Sequence, residues 1–126
     1  MRLDYDYIKK ILLTMENYNK HQIYSKELMG LLEIGEEDLD KFIGHIKLLA
    51  DNYFIFSSCE DLGFKNGLNG NIVIGNPLYR ITSQGYEFLD VLRNDTILKK
   101  IRNFAMNNAW EIGKQILINM ASGNMG

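Results

Sequence analysis

Ser57, Ser58 and Cys59 put three nucleophile-bearing side chains in a row, and His21 and His45 are the two imidazoles that could activate one. Acyl or group transfer would need the nucleophile on a glycine-bracketed elbow and a base paired with it. Neither pattern is present around Ser57–Cys59. A metal centre fares no better, because one cysteine and two histidines supply no ligand cluster at a recognisable spacing. The single cysteine also rules out an internal disulfide. These residue types point to a protein that is not an enzyme and takes no cofactor, no metal and no small-molecule substrate. His45 could titrate as a switch, but a local bond near a helix end is the favoured reading.

Binding chemistry is better represented. A third helix, with Glu36, Glu37 and Asp38 at its start, turns Leu39, Phe42, Ile43, Ile46, Leu49 and Ala50 to one side. Its opposite side carries Glu37, Asp40, Lys41, Gly44, Leu48 and Asp51, with His45 and Lys47 nearer the rim. Phosphates repel acids, and base edges want forked donors or amides. Three of those six outward residues are acidic and only Lys41 is a natural phosphate contact. The face therefore argues against ordinary reading of duplex DNA. Gly44 and Leu48 suggest instead close packing with another protein. The bland alternative is a solvated, charged helix surface. The formal net charge of −2 points the same way, since phosphate binding needs a concentrated basic face.

The elements that must position these residues follow from periodicity and punctuation. Asp4 is a credible N-cap, with Leu3 and Ile8 at the spacing of a hydrophobic staple. Ile8, Ile11, Leu12 and Met15 then share a helix face that ends near Tyr18-Asn19. A stub strand at Ile23 precedes a short helix capped by Ser25. Gly35 breaks that run, Glu36, Glu37 and Asp38 open the third helix, and Asn52 is its expected left-handed stop. "YFIFSS" and "IVIGNPLYRIT" read as two strands, the second interrupted at Gly75-Asn76-Pro77. Between them, Asn66-Gly67 and Asn69-Gly70 signal turns. Phe64 and Leu68 at that tip are expected to fold back on the core. Lys65 is the tip's one cation. "YRITSQGYEFLD" then joins a strand directly to a helix: Thr82 or Ser83 can cap it, and Gly85 permits close approach to a neighbouring backbone. Asp95 can cap a further helix lined by Ile97, Ile101 and Phe104. The basic residues Arg93, Lys99, Lys100, Arg102, Lys9, Lys10 and Lys20 are expected to form a solvated surface balanced by Asp90, Asp95 and Glu16.

The order of helix, stub strand, helix, helix, hairpin, helix, helix predicts an α+β fold, a winged helix-turn-helix with a C-terminal helical extension. The winged-helix domain is expected over 1–94, the extension over 95–122 and a flexible tail over 123–126. In the extension Trp110, Ile112, Ile116, Leu117 and Met120 offer more apolar surface than a small domain needs, which makes them the candidate homodimer contacts. No apolar run reaches bilayer-crossing length, so no membrane partner is expected. The acidic start "MRLDYDY" is unlike a signal peptide, which places the protein in the cytosol.

"HIKLLADNYFI" and "YRITSQGYEFLD" resemble the third-helix end and the strand-to-helix join of bacterial winged-helix repressors. Together with "RLDYDYIKKILLTME", "GHIKLLADNYFI" and "ITSQGYEFLDVLRNDTILKKI" they resemble a family of small phage and prophage proteins of Gram-positive bacteria, the domain-of-unknown-function family number 2513. The resemblance spans Arg2 to about Ile101, departing at Ser83 and Leu98. It implies the fold, a phage-related origin and the cytosol of a bacterial host. The resulting expectation is a non-enzymatic protein that binds macromolecules, a host or phage protein or duplex DNA, in transcription control or interference with a host machine. Glu37, Asp40, Lys41, Gly44, His45, Leu48 and Lys65 are the expected contacts. The alternatives are a sequence-specific repressor and an acidic inhibitor of a nucleic-acid-binding machine.

Overall fold

A computed structural model of the chain describes residues 1–123. Helix α1 spans Tyr5–Asn17. The Asp4 carboxylate accepts the Tyr7 N–H at 3.1 Å, which satisfies one of the free donors at its start. Ile8, Ile11, Leu12 and Met15 are buried, as their spacing requires. Strand β1 (Ile23–Tyr24) leads straight into α2 (Ser25–Leu31). Ser25 does not cap α2. It is the first helical residue, and its hydroxyl turns towards the Gly75 carbonyl, while Asn76 Oδ1 accepts the Lys26 N–H at 3.0 Å from fifty residues away. A single 3-10 turn, Glu36–Asp38, opens α3 (Leu39–Asp51). Asn52 is not its left-handed stop: that conformation falls on Tyr53 (φ 60°), while the Asn52 amide donates back to the Leu48 carbonyl at 2.8 Å. An amide that closes the last turn has no need of the left-handed region itself.

The strand-rich middle makes two sheets. β2 (Ile55–Ser57) and β5 (Leu78–Ile81) pair antiparallel, and β1 adds to the other edge of β5, giving the order β1-β5-β2. β3 (Phe64–Asn66) and β4 (Ile72–Ile74) form a separate hairpin. The break at Gly75–Pro77 separates β4 from β5 as expected. Thr82 makes the join to α4 (Ser83–Arg93): its Oγ1 accepts the Gly85 N–H at 3.0 Å and donates to the Tyr53 carbonyl at 2.6 Å. A Cβ on Gly85 would run into the Phe54 carbonyl oxygen, so only glycine lets α4 sit this close to the chain leaving α3.

α5 (Asp95–Ile101) is capped by Asn94, not by Asp95, because Asn94 is the extended residue whose Oδ1 reaches the Ile97 N–H at 3.1 Å. Ile97 and Ile101 are buried, whereas Phe104 lies past the end of α5 and is exposed. α6 (Met106–Ala121) closes the molecule. One buried cluster runs from Tyr5 to Trp110 through both the expected domain and its expected extension. At its centre Phe54 stacks on Phe88 with ring centroids 4.4 Å apart, and Trp110 stands edge-on to both. The tail expected at 123–126 lies, beyond Gly123, outside the described residues. No helix among the described residues is long and apolar enough to cross a membrane.

Candidate functional site

The core-facing stripe of α3, built on Phe42, Ile43, Ile46 and Leu49, leaves Asp40 and Lys41 exposed beside Glu37 of the preceding turn. These three share an open hollow of about 660 Å³ with the N-terminal segment, Asp6 and Arg102. Lys41 is already spoken for. Its Nζ lies 2.9 Å from Asp4 Oδ2 and 4.6 Å above the Tyr7 ring.

Asp4 thus joins α1 to α3 in three ways. Its carboxylate caps α1 and pairs with Lys41, and its backbone N–H donates to His45 Nε2 at 3.0 Å. His45 is therefore no partner contact: it is wholly buried and stacks on Tyr7 at 5.0 Å. Its Nε2 must be bare to accept from Asp4, so Nδ1 carries the proton and donates to the Lys41 carbonyl at 2.7 Å. The local bond expected for His45 is present, and its reach to Asp4 is the part that spacing does not reveal. Burial pushes the imidazole below its ordinary pKa. The bond to the Lys41 carbonyl opposes that, the Lys41 charge adds to it, and the Asp4 charge opposes it. Burial would raise the Asp4 carboxyl, but the Lys41 ammonium and the Tyr7 N–H outweigh it and hold the group below its usual range.

Further along the same face, a Cβ at Gly44 would meet the Met1 side chain, so this glycine is covered from within the chain. Leu48 is half-buried against the core. Lys65, on the β3–β4 hairpin, is exposed with Asp61 3.7 Å away. Phe64 folds back, edge-on to Phe42, whereas Leu68 does not and stands fully exposed at the hairpin tip, because the turn it occupies reaches past the core. The expected balance of the basic residues near α1 and α5 holds for part of them: Arg93 pairs with Glu16 and Asp90, Lys9 with Asp95, and Arg102 with Asp6, while Lys10, Lys20, Lys99 and Lys100 stand exposed outside those pairs. Among the described residues no group of three His, Cys, Asp or Glu side chains could hold a metal ion.

Trp110 is not an exposed dimer contact, since it is buried against Phe54 and Phe88. Ile112, Ile116 and Leu117 are half-buried on the same core. What α6 leaves to solvent is Met120 and Ile118.

One surface was not anticipated. The register Tyr24↔Leu78 and Phe56↔Arg80 sends these four side chains to the outer face of the three-stranded sheet, while Ile23, Tyr79 and Ile81 go inward. The Arg80 guanidinium lies 4.9 Å from the Phe56 ring centroid. The signal was the alternation in "LYRI" and "IFS", which puts an aromatic and a cation on outward positions.

These features define an α+β protein, with six α-helices and small antiparallel sheets among the described residues and with charge and exposed apolar residues as its surface chemistry. The chain belongs to the family described as "Hypothetical protein (DUF2513)", which matches residues 2–111. No curated protein matches it, and no solved structure does.

Proposed function

We propose that this is a winged-helix protein of phage or prophage origin that acts by binding another protein through the N-terminal half of α3, and not by gripping duplex DNA. The winged-helix reading is supported by the strand order β1-β5-β2 following a helix pair, with α4 entered directly from β5. The protein-binding reading is carried by one observation. Of the cations on this face and the hairpin, Lys41 is answered inside the chain by Asp4 and Lys65 by Asp61, which leaves Lys47 at the rim, while Glu36, Glu37 and Asp40 stay exposed. Duplex affinity grows with the number of phosphates neutralised, and this face has few cations to give. An acidic helix start fits a basic protein surface instead.

A salt titration against random duplex, with a photo-crosslinker placed at Asp40 in host extract, tests this. The expected result is weak duplex binding and a discrete protein crosslink that Glu37→Lys abolishes. Tight duplex binding with a steep salt slope, lost in Lys41→Glu, would replace this reading with a DNA-binding repressor.

A further inference from the structure

We infer that the outer face of the β1-β5-β2 sheet binds single-stranded nucleic acid. Three segments far apart in the chain meet there. β1 supplies Tyr24, β5 supplies Leu78 and Arg80, and β2 supplies Phe56. Tyr24 and Phe56 are 53% and 55% exposed although both sit in regular strands. They stand on the two outer strands, two strand spacings and two residues apart. That places them about 12 Å from one another, given strands ~4.8 Å apart and a rise of ~3.4 Å per residue.

Between them Arg80 lies against Phe56, so its guanidinium is held in place before any ligand arrives. Tyr24 and Leu78 also form one wall of a hollow of about 570 Å³, whose other wall is the Tyr18–Gln22 loop with Lys20 and His21. No carboxylate lines that hollow, and none lies on the outer row. In a chain of net negative charge this is a local strip of rings and cations without a matching acid.

That combination selects its ligand. Flat rings at fixed intervals stack on bases whatever their identity, and cations beside them meet the phosphates. A duplex hides its base faces, so it could use only the cations. An acidic polypeptide could likewise pair with Arg80 and Lys20, but it does not carry a flat ring on every unit to lay on Tyr24 and Phe56 as a nucleic-acid strand does. The surface involves neither α3 nor the hairpin tip, so it stands or falls independently of the protein-binding reading.

Fluorescence anisotropy with labelled twelve-nucleotide dT and rU strands tests the inference on the full chain. Saturable binding is expected, weakened roughly fivefold or more by Tyr24→Ala and by Phe56→Ala, as loss of one stacked base requires. Phe56→Tyr should restore it. With Arg80 and Lys20 both on phosphates, the logarithm of affinity should fall with slope about −1.4 against log salt. All these side chains are exposed, and unchanged thermal melts will show that each variant is folded. Absence of saturable binding by the wild type overturns the proposal. So does equal affinity for a duplex of the same length, indifference to both alanine variants, or displacement by polyglutamate at equal charge, which would assign the strip to an acidic polypeptide.

Discussion

The N-terminal end of α3 and the outer face of the three-stranded sheet both carry cations beside aromatic rings, and they use them in opposite ways. At α3, Lys41 lies over Tyr7, but Asp4 takes its charge and His45 fills the space behind. On the sheet, Arg80 lies over Phe56 and the register brings no acid next to it. The first arrangement is a fastening between elements, and the second is a surface left open. What separates them is whether the cation's partner belongs to the chain. Counting basic residues along the sequence cannot distinguish the two.

The difference should appear first in stability. His45→Ala removes a fully buried ring and strands the Asp4 N–H, and should cost about 2–4 kcal/mol in denaturant unfolding. A loss below about 0.5 kcal/mol would mean that the α3 end is as loosely held as the sheet face.

Acid is the next lever. The folded state holds His45 below its ordinary pKa of 6.5, so the unfolded chain takes up the proton more readily. The stability that depends on the neutral ring is complete above about pH 6.5. It is lost as pH falls from there through the lowered folded pKa. Unfolding measured between pH 7.5 and 5 should show this decline in the wild type and not in His45→Gln.

A smaller effect is expected at the cap itself. Asp4→Ala should cost about 1 kcal/mol, the usual cost of losing an N-cap with a partly exposed ion pair. It should also free Lys41, so duplex binding should strengthen slightly if charge pairing is what silences that face. Smallest of all, Tyr24→Ala and Phe56→Ala should shift unfolding by no more than ~0.5 kcal/mol each, as open surface positions do. A drop of several kcal/mol at either would show that the sheet face is a structural layer.

Much of the scaffold was legible because its signals are local. Thr82 or Ser83 together with Gly85 announced a capped, close-packed join, and the structure builds it with Thr82 and Gly85. The amphipathic stripe of α1 was equally plain. The cap of α5, expected at Asp95, was harder. Asn94 and Asp95 carry the same kind of side-chain oxygen, and only the backbone conformation decides which one reaches the free N–H. Ser25 lost its role to Asn76, a partner no local pattern contains.

The surface chemistry was half legible. The acids of α3 could be read off a helical projection, but the neutralisation of Lys41 depends on Asp4, thirty-seven residues away. Trp110 looked like surplus on α6 because its partners, Phe54 and Phe88, lie in other elements. The sheet face was legible only strand by strand, in the alternation of "LYRI" and "IFS": Tyr24, Phe56 and Arg80 become neighbours only when β5 inserts between β1 and β2.

The edge-on seat of Trp110 against the Phe54–Phe88 stack also sets an order of events during synthesis. While the ribosome is still making α5, the chain already holds both stacked rings and Tyr5 edge-on to Phe88, but not the indole that completes their cover. The sheet can pair once residue 81 has emerged, yet the apolar centre stays open for almost thirty residues more. A nascent chain in that interval shows an oily, half-built face to whatever chaperone or neighbour it meets, and the arrival of a single indole ends the exposure.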